Sequence, residues 1–134
     1  MRTILMTVLS LLFLGGLILT HTVFSQNDFK KIKAEELKQK IESGMDGVLL
    51  DVRTPGEVEN GILPGAEIIN FQDEDFEDKI AALDKSETYY IYCHSGGRSA
   101  RTQNMMKQMG FENVIEYSGG YSEWSALGYP LVKP

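Results

Sequence analysis

Cysteine and histidine are scarce in this chain of 134 residues, which contains one Cys, Cys93, and two His, His21 and His94. A single Cys rules out an internal disulfide. It also argues against a disulfide oxidoreductase, which needs a second thiol to resolve its mixed disulfide. So few His and Cys side chains disfavour a zinc centre, whose ligands are mostly thiolates and imidazoles. We therefore expect no metal and no cofactor.

Basic residues are outnumbered, because 13 Lys and Arg against 19 Asp and Glu give a formal net charge of -6 at pH 7. Proteins bind nucleic acids largely through Lys and Arg contacts to phosphates, so a chain without a basic stripe is not expected to bind them. The densest acidic segment, residues 73–78, lacks the loop spacing and the glycine of calcium-binding motifs. We interpret it as a solvated helix face.

Long apolar runs are confined to the N-terminus. Residues 4–19 are almost entirely apolar, Arg2 precedes them, and Val23 and Ser25 place small side chains at the end of the segment. This layout predicts a secretory signal peptide over residues 1–25, which would be removed on export.

An uncleaved membrane anchor is the alternative, because the stretch 4–24 is long enough to cross a bilayer, which takes about 20 residues. Membrane association is expected only in that case. Under either interpretation the remaining residues, 26–134, lie outside the cytoplasm, in the periplasm or the extracellular space. Their number suffices for one domain and not for two.

Short apolar runs alternate with helix-like stretches in the rest of the chain. The runs predict strands at residues 48–52, 66–70, 88–92 and 114–117, and the periodicity of the intervening segments predicts helices at 34–41, 71–83 and 100–109. A helical turn is expected after Pro55, and a last short helix after Gly120. This alternation is typical of an α/β domain with a central parallel sheet and helices on both faces.

The Cys93 segment is the main candidate for a functional site. It follows the apolar run 88–92 and opens the loop HSGGRS at 94–99. Backbone N–H groups at the start of the next helix can stabilise a thiolate, and glycines allow a loop to curl around an anion. A nucleophile is one interpretation, and a plain core cysteine is the other. Because a lone thiol is open to oxidation outside the cytoplasm, its presence there favours a functional role.

Four ordered motifs resemble those of rhodanese-homology domains. They are LDVRTP at 50–55 with Glu57 and then LPGA at 63–66, YCHSGGRS at 92–99, GFENV at 110–114, and GG at 119–120 followed by Trp124 and GYP at 128–130. The resemblance covers about residues 30–133, which is nearly the whole chain after the predicted signal peptide. The resemblance implies a single rhodanese-like domain in residues 26–134 with the activity of a sulfurtransferase.

The resemblance also implies a mechanism and a set of site residues. Cys93 would attack the outer sulfur of thiosulfate or of a persulfide donor and become a persulfide. Cyanide, a small thiol or a partner protein would then accept the sulfur. The donor-binding residues implied by the loop motif are His94, Ser95, Gly96, Gly97, Arg98 and Ser99.

Several of these positions allow two interpretations. Arg98 either binds the substrate anion or braces the loop against a carboxylate, and His94 points either into the site or to solvent. Asp51 and Arg53 are expected to form a supporting ion pair, although a substrate contact by Arg53 stays open. Ser99 is expected to cap the helix that follows.

Two positions depart from the family's pattern, and a third differs from many relatives. Ile62 stands where a His is usual, and Val58 stands where an aromatic residue is usual. Both are expected to alter packing and not chemistry. His94 occupies a position where many relatives carry Arg, which weakens the expectation that thiosulfate is the preferred donor.

Other functions compete with sulfur transfer by a free enzyme. A sulfur-carrier module would keep the Cys93 site but turn over slowly with free substrates. A phosphatase or arsenate reductase would also use a Cys…Arg loop, but such loops are one residue longer than the four residues, 94–97, between Cys and Arg here. A non-catalytic interaction domain is disfavoured by the intact Cys93.

Overall fold

The computed structural model of the protein describes residues 29–134, so the predicted signal peptide or anchor and His21 lie outside the described residues. In chain order the strands are β1 (Lys30–Lys31), β2 (Val48–Asp51), β3 (Glu67–Ile68), β4 (Thr88–Tyr92) and β5 (Asn113–Glu116). The helices are α1 (Ala34–Ser43), α2 (Pro55–Val58), α3 (Phe76–Ala81), α4 (Gly97–Gln108) and α5 (Gly120–Ala126). None of the helices in residues 29–134 combines the length and the apolar character needed to cross a bilayer.

The five strands form one parallel sheet in the order β1-β5-β4-β2-β3. β4 is the central strand, and its Tyr90 is in register with Leu49 of β2 and with Ile115 of β5. Strands of parallel sheets are covered on both faces, which explains the continuous apolar runs of β2 and β4. The predicted α/β class with a parallel sheet is confirmed.

Two apolar clusters cover the two faces of the sheet. The first joins β2 and β4 to α3 and α4 through the buried side chains of Leu50, Ile91, Ile80 and Met106. The second joins the same strands to α1 and α5 through the buried side chains of Leu49, Tyr90, Leu37 and Trp124. Neighbouring residues of one strand enter different clusters because side chains alternate across a sheet. Helices therefore lie on both faces, as predicted.

Strand β1 is an element that sequence patterning does not indicate. Its two residues, Lys30 and Lys31, are exposed, so they show none of the apolar alternation that marks a strand. They pair with Ile115 and Glu116 of β5 at the edge of the sheet, and the Ile32 N–H continues the pairing with a bond of 3.0 Å to the Glu116 carbonyl. Lysines at a sheet edge discourage further strands from adding there.

Helix α3 is shorter than the predicted helix at 71–83. The Asn70 side chain holds the preceding residues in a turn, because its Nδ2 donates to Asp73 Oδ1 at 2.8 Å and its Oδ1 accepts the Gln72 N–H at 3.0 Å. Such side-chain bonds to nearby groups compete with helix formation. The acidic segment 73–78 therefore begins in a turn and only its end is helical.

Candidate active site

Cys93 follows β4 directly, at the carboxyl end of the central strand, where open parallel sheets place their ligand sites. The residue is only 1 % exposed, and it belongs to the same apolar cluster as Ile91 and Met106. The Cys93 side chain is therefore buried as a core cysteine would be, and its sulfur also contacts the loop that follows.

The loop supplies hydrogen bonds to the sulfur. Cys93 Sγ accepts the Gly96 N–H at 3.2 Å and lies 3.5 Å from the Ser99 hydroxyl oxygen. Burial by itself raises the pKa of the Cys93 thiol. The Ser99 hydroxyl and the backbone N–H groups of Ser99, Gly96 and Ser95 outweigh burial, so the pKa lies below its ordinary value. The surroundings of the sulfur thus favour the thiolate, which is the nucleophilic form.

Helix α4 begins at Gly97, and not at residue 100 as the sequence predicts. The loop is correspondingly shorter, and Gly96 takes the position before the helix in the left-handed region, with φ +103°. A Cβ atom at Gly96 would lie 2.7 Å from the Ser118 carbonyl oxygen, so both conformation and space require glycine there. Gly97 begins the helix with open space around it, so of the two glycines only Gly96 has a positive φ.

The start of α5 holds the loop from the opposite side. The Tyr121 N–H donates to the Cys93 carbonyl at 2.9 Å, and the Ser122 N–H donates to the His94 carbonyl at 3.0 Å. This close approach depends on Gly120, where φ is +61° and a Cβ atom would lie 2.5 Å from the Cys93 carbonyl oxygen. The glycine pair at 119–120 marks this contact in the sequence, but only the fold shows what it contacts.

Arg98 forms a two-pronged ion pair with Glu57. Its Nη1 and Nη2 each donate to one carboxylate oxygen at 2.7 Å. The Thr54 backbone N–H and hydroxyl both donate to Glu57 Oε2 at 2.9 Å, which fixes the carboxylate at the start of α2. The Arg98 hydrogen bonds are the main reason why the pKa of Glu57 falls from 4.5 to about 2, and burial opposes them. This ion pair is the carboxylate contact that the loop-brace interpretation of Arg98 expects, and substrate binding by Arg98 stays a prediction.

Asp51 and Arg53 form the ion pair expected of them, with 2.7 Å between Nη2 and Oδ2, and both side chains are at most 1 % exposed. The Tyr92 hydroxyl donates to the same carboxylate oxygen, and Arg53 Nη2 also donates to the Gly61 carbonyl at 2.8 Å. The guanidinium carbon lies 4.3 Å from the centre of the Tyr121 ring. Arg53 is thus enclosed by protein, and it links β2 to the helix that holds the active-site loop.

Ser99 does not cap α4, contrary to the sequence-based expectation, because Gly96 occupies that position. Ser99 is fully buried inside the first turn, where its hydroxyl donates to Glu116 Oε1 at 2.7 Å. The other oxygen of Glu116 accepts the Ser118 hydroxyl. Sequence reasoning missed Glu116 and Ser118, and the only available signal was a charged residue within the otherwise apolar segment that forms β5.

The other positions singled out by the sequence divide between surface and core. His94 and Ser95 are exposed, and the His94 ring lies 6.0 Å from the Tyr121 ring, centroid to centroid. Val58 and Ile62, the two departures from the family's pattern, are 6 % and 5 % exposed, so both side chains take part in packing. Within residues 29–134, no three His, Cys, Asp or Glu side chains are grouped as metal ligands would be.

Comparison with known proteins gives matches to one protein family. A family model described as the rhodanese-like domain matches residues 33–127. A sulfurtransferase of Allochromatium vinosum is 31% identical over 104 residues, which cover 78% of this chain and 95% of the relative. The Bacillus subtilis protein YrkF, provisionally named a sulfur carrier, is 31% identical over 105 residues, which cover 78% of this chain but 56% of that protein.

A solved structure agrees with these matches. The crystal structure of a rhodanese-like domain protein from Staphylococcus aureus has a TM-score of 0.67 and 30% sequence identity to this chain, and the match covers 79% of this chain and 99% of the other. The sheet order, the position of Cys93 and the matched family model are therefore consistent with one another. The chain belongs to the rhodanese-like domain family of sulfurtransferases and their relatives.

Proposed function

We propose that this protein is a sulfurtransferase that carries a sulfane sulfur on Cys93. The observation on which the proposal rests is the environment of that thiol, the only one in the chain. Its sulfur accepts the Gly96 N–H at 3.2 Å at the start of α4, and its pKa is lowered by loop donors despite burial. A relative that this chain matches over nearly its whole length is named a sulfurtransferase, which supports the same reaction class.

The reaction has two displacement steps. In the first, the Cys93 thiolate attacks the outer sulfur of thiosulfate, so an S–S bond forms and sulfite leaves with the electron pair of the broken bond. In the second, cyanide or a thiolate attacks the outer sulfur of the Cys93 persulfide, and the Cys93 thiolate leaves. The N–H groups of Gly96 and its neighbours stabilise the negative charge on sulfur in both resting forms, as donors do in an oxyanion hole.

Phosphate ester hydrolysis fits this site less well. The two guanidinium donors that would have to hold phosphate oxygens are used by Glu57, because Arg98 binds that carboxylate through both Nη atoms at 2.7 Å. The loop between Cys93 and Arg98 also has only four residues. Since Cys93 is 1 % exposed, a single terminal sulfur atom reaches it more easily than a bulky ester.

Intact mass spectrometry tests the proposal directly. The purified protein is incubated with thiosulfate, desalted, measured, and then treated with cyanide. We expect a gain of one sulfur atom that cyanide removes, and no gain in the Cys93→Ser variant, whose cooperative unfolding should be retained. Absence of the added sulfur in the parent protein, or faster Cys93-dependent hydrolysis of an aryl phosphate than transfer of sulfur, would contradict the assignment.

A sulfur-carrier role is the second candidate, and the similarity to YrkF favours it. In that case the persulfide would form but would discharge slowly to cyanide or small thiols, and rapidly to a protein thiol. The two roles are separated by comparing the rate of persulfide loss with small acceptors to the rate of persulfide formation. Comparable rates support a free enzyme, and a persulfide that outlasts excess cyanide supports a carrier.

We also propose that the protein acts outside the cytoplasm. The support comes from the sequence alone, namely Arg2, the apolar residues 4–19 and the small side chains of Val23 and Ser25. N-terminal analysis of protein from the native host is expected to show a chain beginning at Gln26. A chain that begins at Met1 and sediments with membranes would support the uncleaved anchor instead.

A further inference from the structure

Glu116 is a buried carboxylate that the proposed reaction does not use. It is 1 % exposed at the end of β5, and its two oxygens accept hydrogen bonds from the hydroxyls of Ser99 and Ser118. Within residues 29–134, it forms no salt bridge. A buried carboxylate that relies on two hydroxyls depends strongly on each of them, because an unsatisfied buried acceptor is costly.

The Ser99 hydroxyl lies between this carboxylate and the active-site sulfur. Its oxygen is 2.7 Å from Glu116 Oε1 and 3.5 Å from Cys93 Sγ. A serine hydroxyl has one proton and can donate it to only one of them at a time. The shorter contact to a carboxylate is the stronger, charge-assisted bond, so the proton points to Glu116 and an oxygen lone pair faces the sulfur.

We propose that Glu116 is a positioning residue. Its carboxylate accepts the hydrogen bond of the Ser99 hydroxyl and thereby competes with the Cys93 sulfur for this donor. The backbone N–H groups of Ser99, Gly96 and Ser95 then supply a larger share of the stabilisation of the thiolate. The Ser99 hydroxyl lowers the pKa of Cys93 when its proton turns towards the sulfur, and the shorter hydrogen bond to Glu116 limits that turn.

This arrangement has a chemical consequence, which rests on the proposed sulfur transfer. A less stabilised thiolate is more basic, and a more basic thiolate is the better nucleophile but the poorer leaving group. Glu116 therefore favours the loading step, in which Cys93 attacks the donor. It disfavours the discharge step, in which Cys93 departs from its persulfide.

The other charged or titratable groups around Cys93 and Glu116 are either bound to another side chain or exposed. On α4, Arg98 is bound to Glu57, and its pKa is raised mainly by that carboxylate and also by the Cys93 sulfur. On β1, Lys31 is the register partner of Glu116, and its side chain is exposed. In the loop, His94 is exposed. Since none of these stands between the carboxylate and the sulfur, the Ser99 hydroxyl is the contact that links the two groups.

The test measures the pKa of Cys93 from the pH dependence of its alkylation by iodoacetamide, which reports on this single thiol without any sulfur transfer. Four variants are compared with the parent: Ser99→Ala, Glu116→Gln, the double variant, and Glu112→Gln. The last one removes an exposed carboxylate at the other end of β5 and serves as the charge-matched control.

In the parent background, Ser99→Ala should raise the Cys93 pKa by less than about 0.5 unit, because the hydroxyl donates mainly to Glu116. Glu116→Gln should lower the pKa by about one unit or more, since it removes the charge on the other side of the Ser99 hydroxyl and frees that hydroxyl to donate to the sulfur. In the Glu116→Gln background, Ser99→Ala should then raise the pKa by about one unit. Glu112→Gln should leave it unchanged.

Two results would overturn the proposal: an increase of a full unit caused by Ser99→Ala in the parent, or no effect of Ser99→Ala in either background. If Glu116→Gln fails to fold, the effect of Ser99→Ala on the Cys93 pKa in the parent protein decides alone. Single-turnover rates add a second readout. For each unit by which the Cys93 pKa is lowered, the rate constant for loading by the thiolate should fall about threefold, and the rate constant for discharge should rise about threefold. If no variant transfers sulfur but the alkylation pattern holds, the proposed function fails and the role of Glu116 stands.

Discussion

The ion pair between Glu57 and Arg98 offers the sharpest test of how the active-site loop is held. The substitution Glu57→Gln keeps the size of the side chain and an oxygen that can accept the Thr54 N–H. It removes the charge that binds both Nη atoms of Arg98 at 2.7 Å. We expect the variant to fold, to be less stable than the parent at pH 7, and to load sulfur more slowly because Arg98 is released.

The size of the stability loss follows from the pKa of Glu57, which the Arg98 hydrogen bonds lower from 4.5 to about 2 against the effect of burial. At about 1.36 kcal/mol per unit, this shift corresponds to about 3 kcal/mol. The two side chains are 21% and 30% exposed, so solvent screens part of it, and we expect a loss of about 1 to 2 kcal/mol.

The sign of the pH dependence is also determined. Because the folded pKa of Glu57 is lower than the unfolded one, the carboxylate stabilises the fold above pH 4.5, and this contribution disappears as the pH falls towards about 2. Gln does not titrate. The difference in unfolding free energy between parent and variant should therefore be largest at pH 7 and should decrease as the pH falls from 4.5 to about 2.

Urea unfolding of both proteins across this pH range provides the measurement. Glu59→Gln is the matched control, because Glu59 is an exposed carboxylate next to the same helix, and its loss should change the unfolding free energy little. An equal stability of parent and Glu57→Gln at pH 7 would refute the reasoning. So would a difference between them that persists unchanged at the acidic end.

Three further predictions concern other supports of the site. Gly96→Ala, at φ +103°, should reduce sulfur loading at least about tenfold and destabilise the fold by about 1–2 kcal/mol. Gly97→Ala is the control and should do neither. Equal effects of the two substitutions would contradict the requirement for a left-handed backbone at Gly96. Arg53→Met should cost about 3–5 kcal/mol in urea unfolding, because it leaves the Asp51 carboxylate buried without its cation, and a harmless substitution would contradict that role. Cys93 alkylation should reach half of its maximal rate at a lower pH in the native protein than in urea, since its pKa is lowered, and the reverse order would refute the thiolate assignment.

The sequence predicts those parts of the site that depend on local pattern. The apolar run of β4, the lone Cys93 and the glycines after it follow one another in the chain, so the position of the thiol at the end of a central strand can be derived without a structure. The ion pair of Asp51 and Arg53 is expected from the resemblance to rhodanese-homology domains, and the two residues lie close together on one short segment.

Contacts between distant segments are not predictable in this way. Glu57 and Arg98 are 41 residues apart, and only the pairing of β2 with β4 brings α2 to the start of α4. Glu116 belongs to β5, and the parallel pairing of β4 with β5 is what places it next to Ser99. Helix α4 begins at Gly97, three residues before the predicted start, because glycine has a low helix propensity and does not indicate the first turn of a helix.

The charge balance of the site leads to a last prediction, which concerns salt. Both arginines near Cys93 are bound to carboxylates, Arg53 to Asp51 and Arg98 to Glu57, so neither offers an unpaired positive charge to an anionic donor. A chain with a net charge of -6 repels a dianion such as thiosulfate at long range. Raising the ionic strength from about 10 to about 100 mM shortens the Debye length from about 30 to about 10 Å, so kcat/KM for thiosulfate should rise about twofold. Alkylation by neutral iodoacetamide should be unaffected and serves as the control. A fall in kcat/KM would show that an unpaired cation binds the donor, and would mean that Arg98 leaves Glu57 during the reaction.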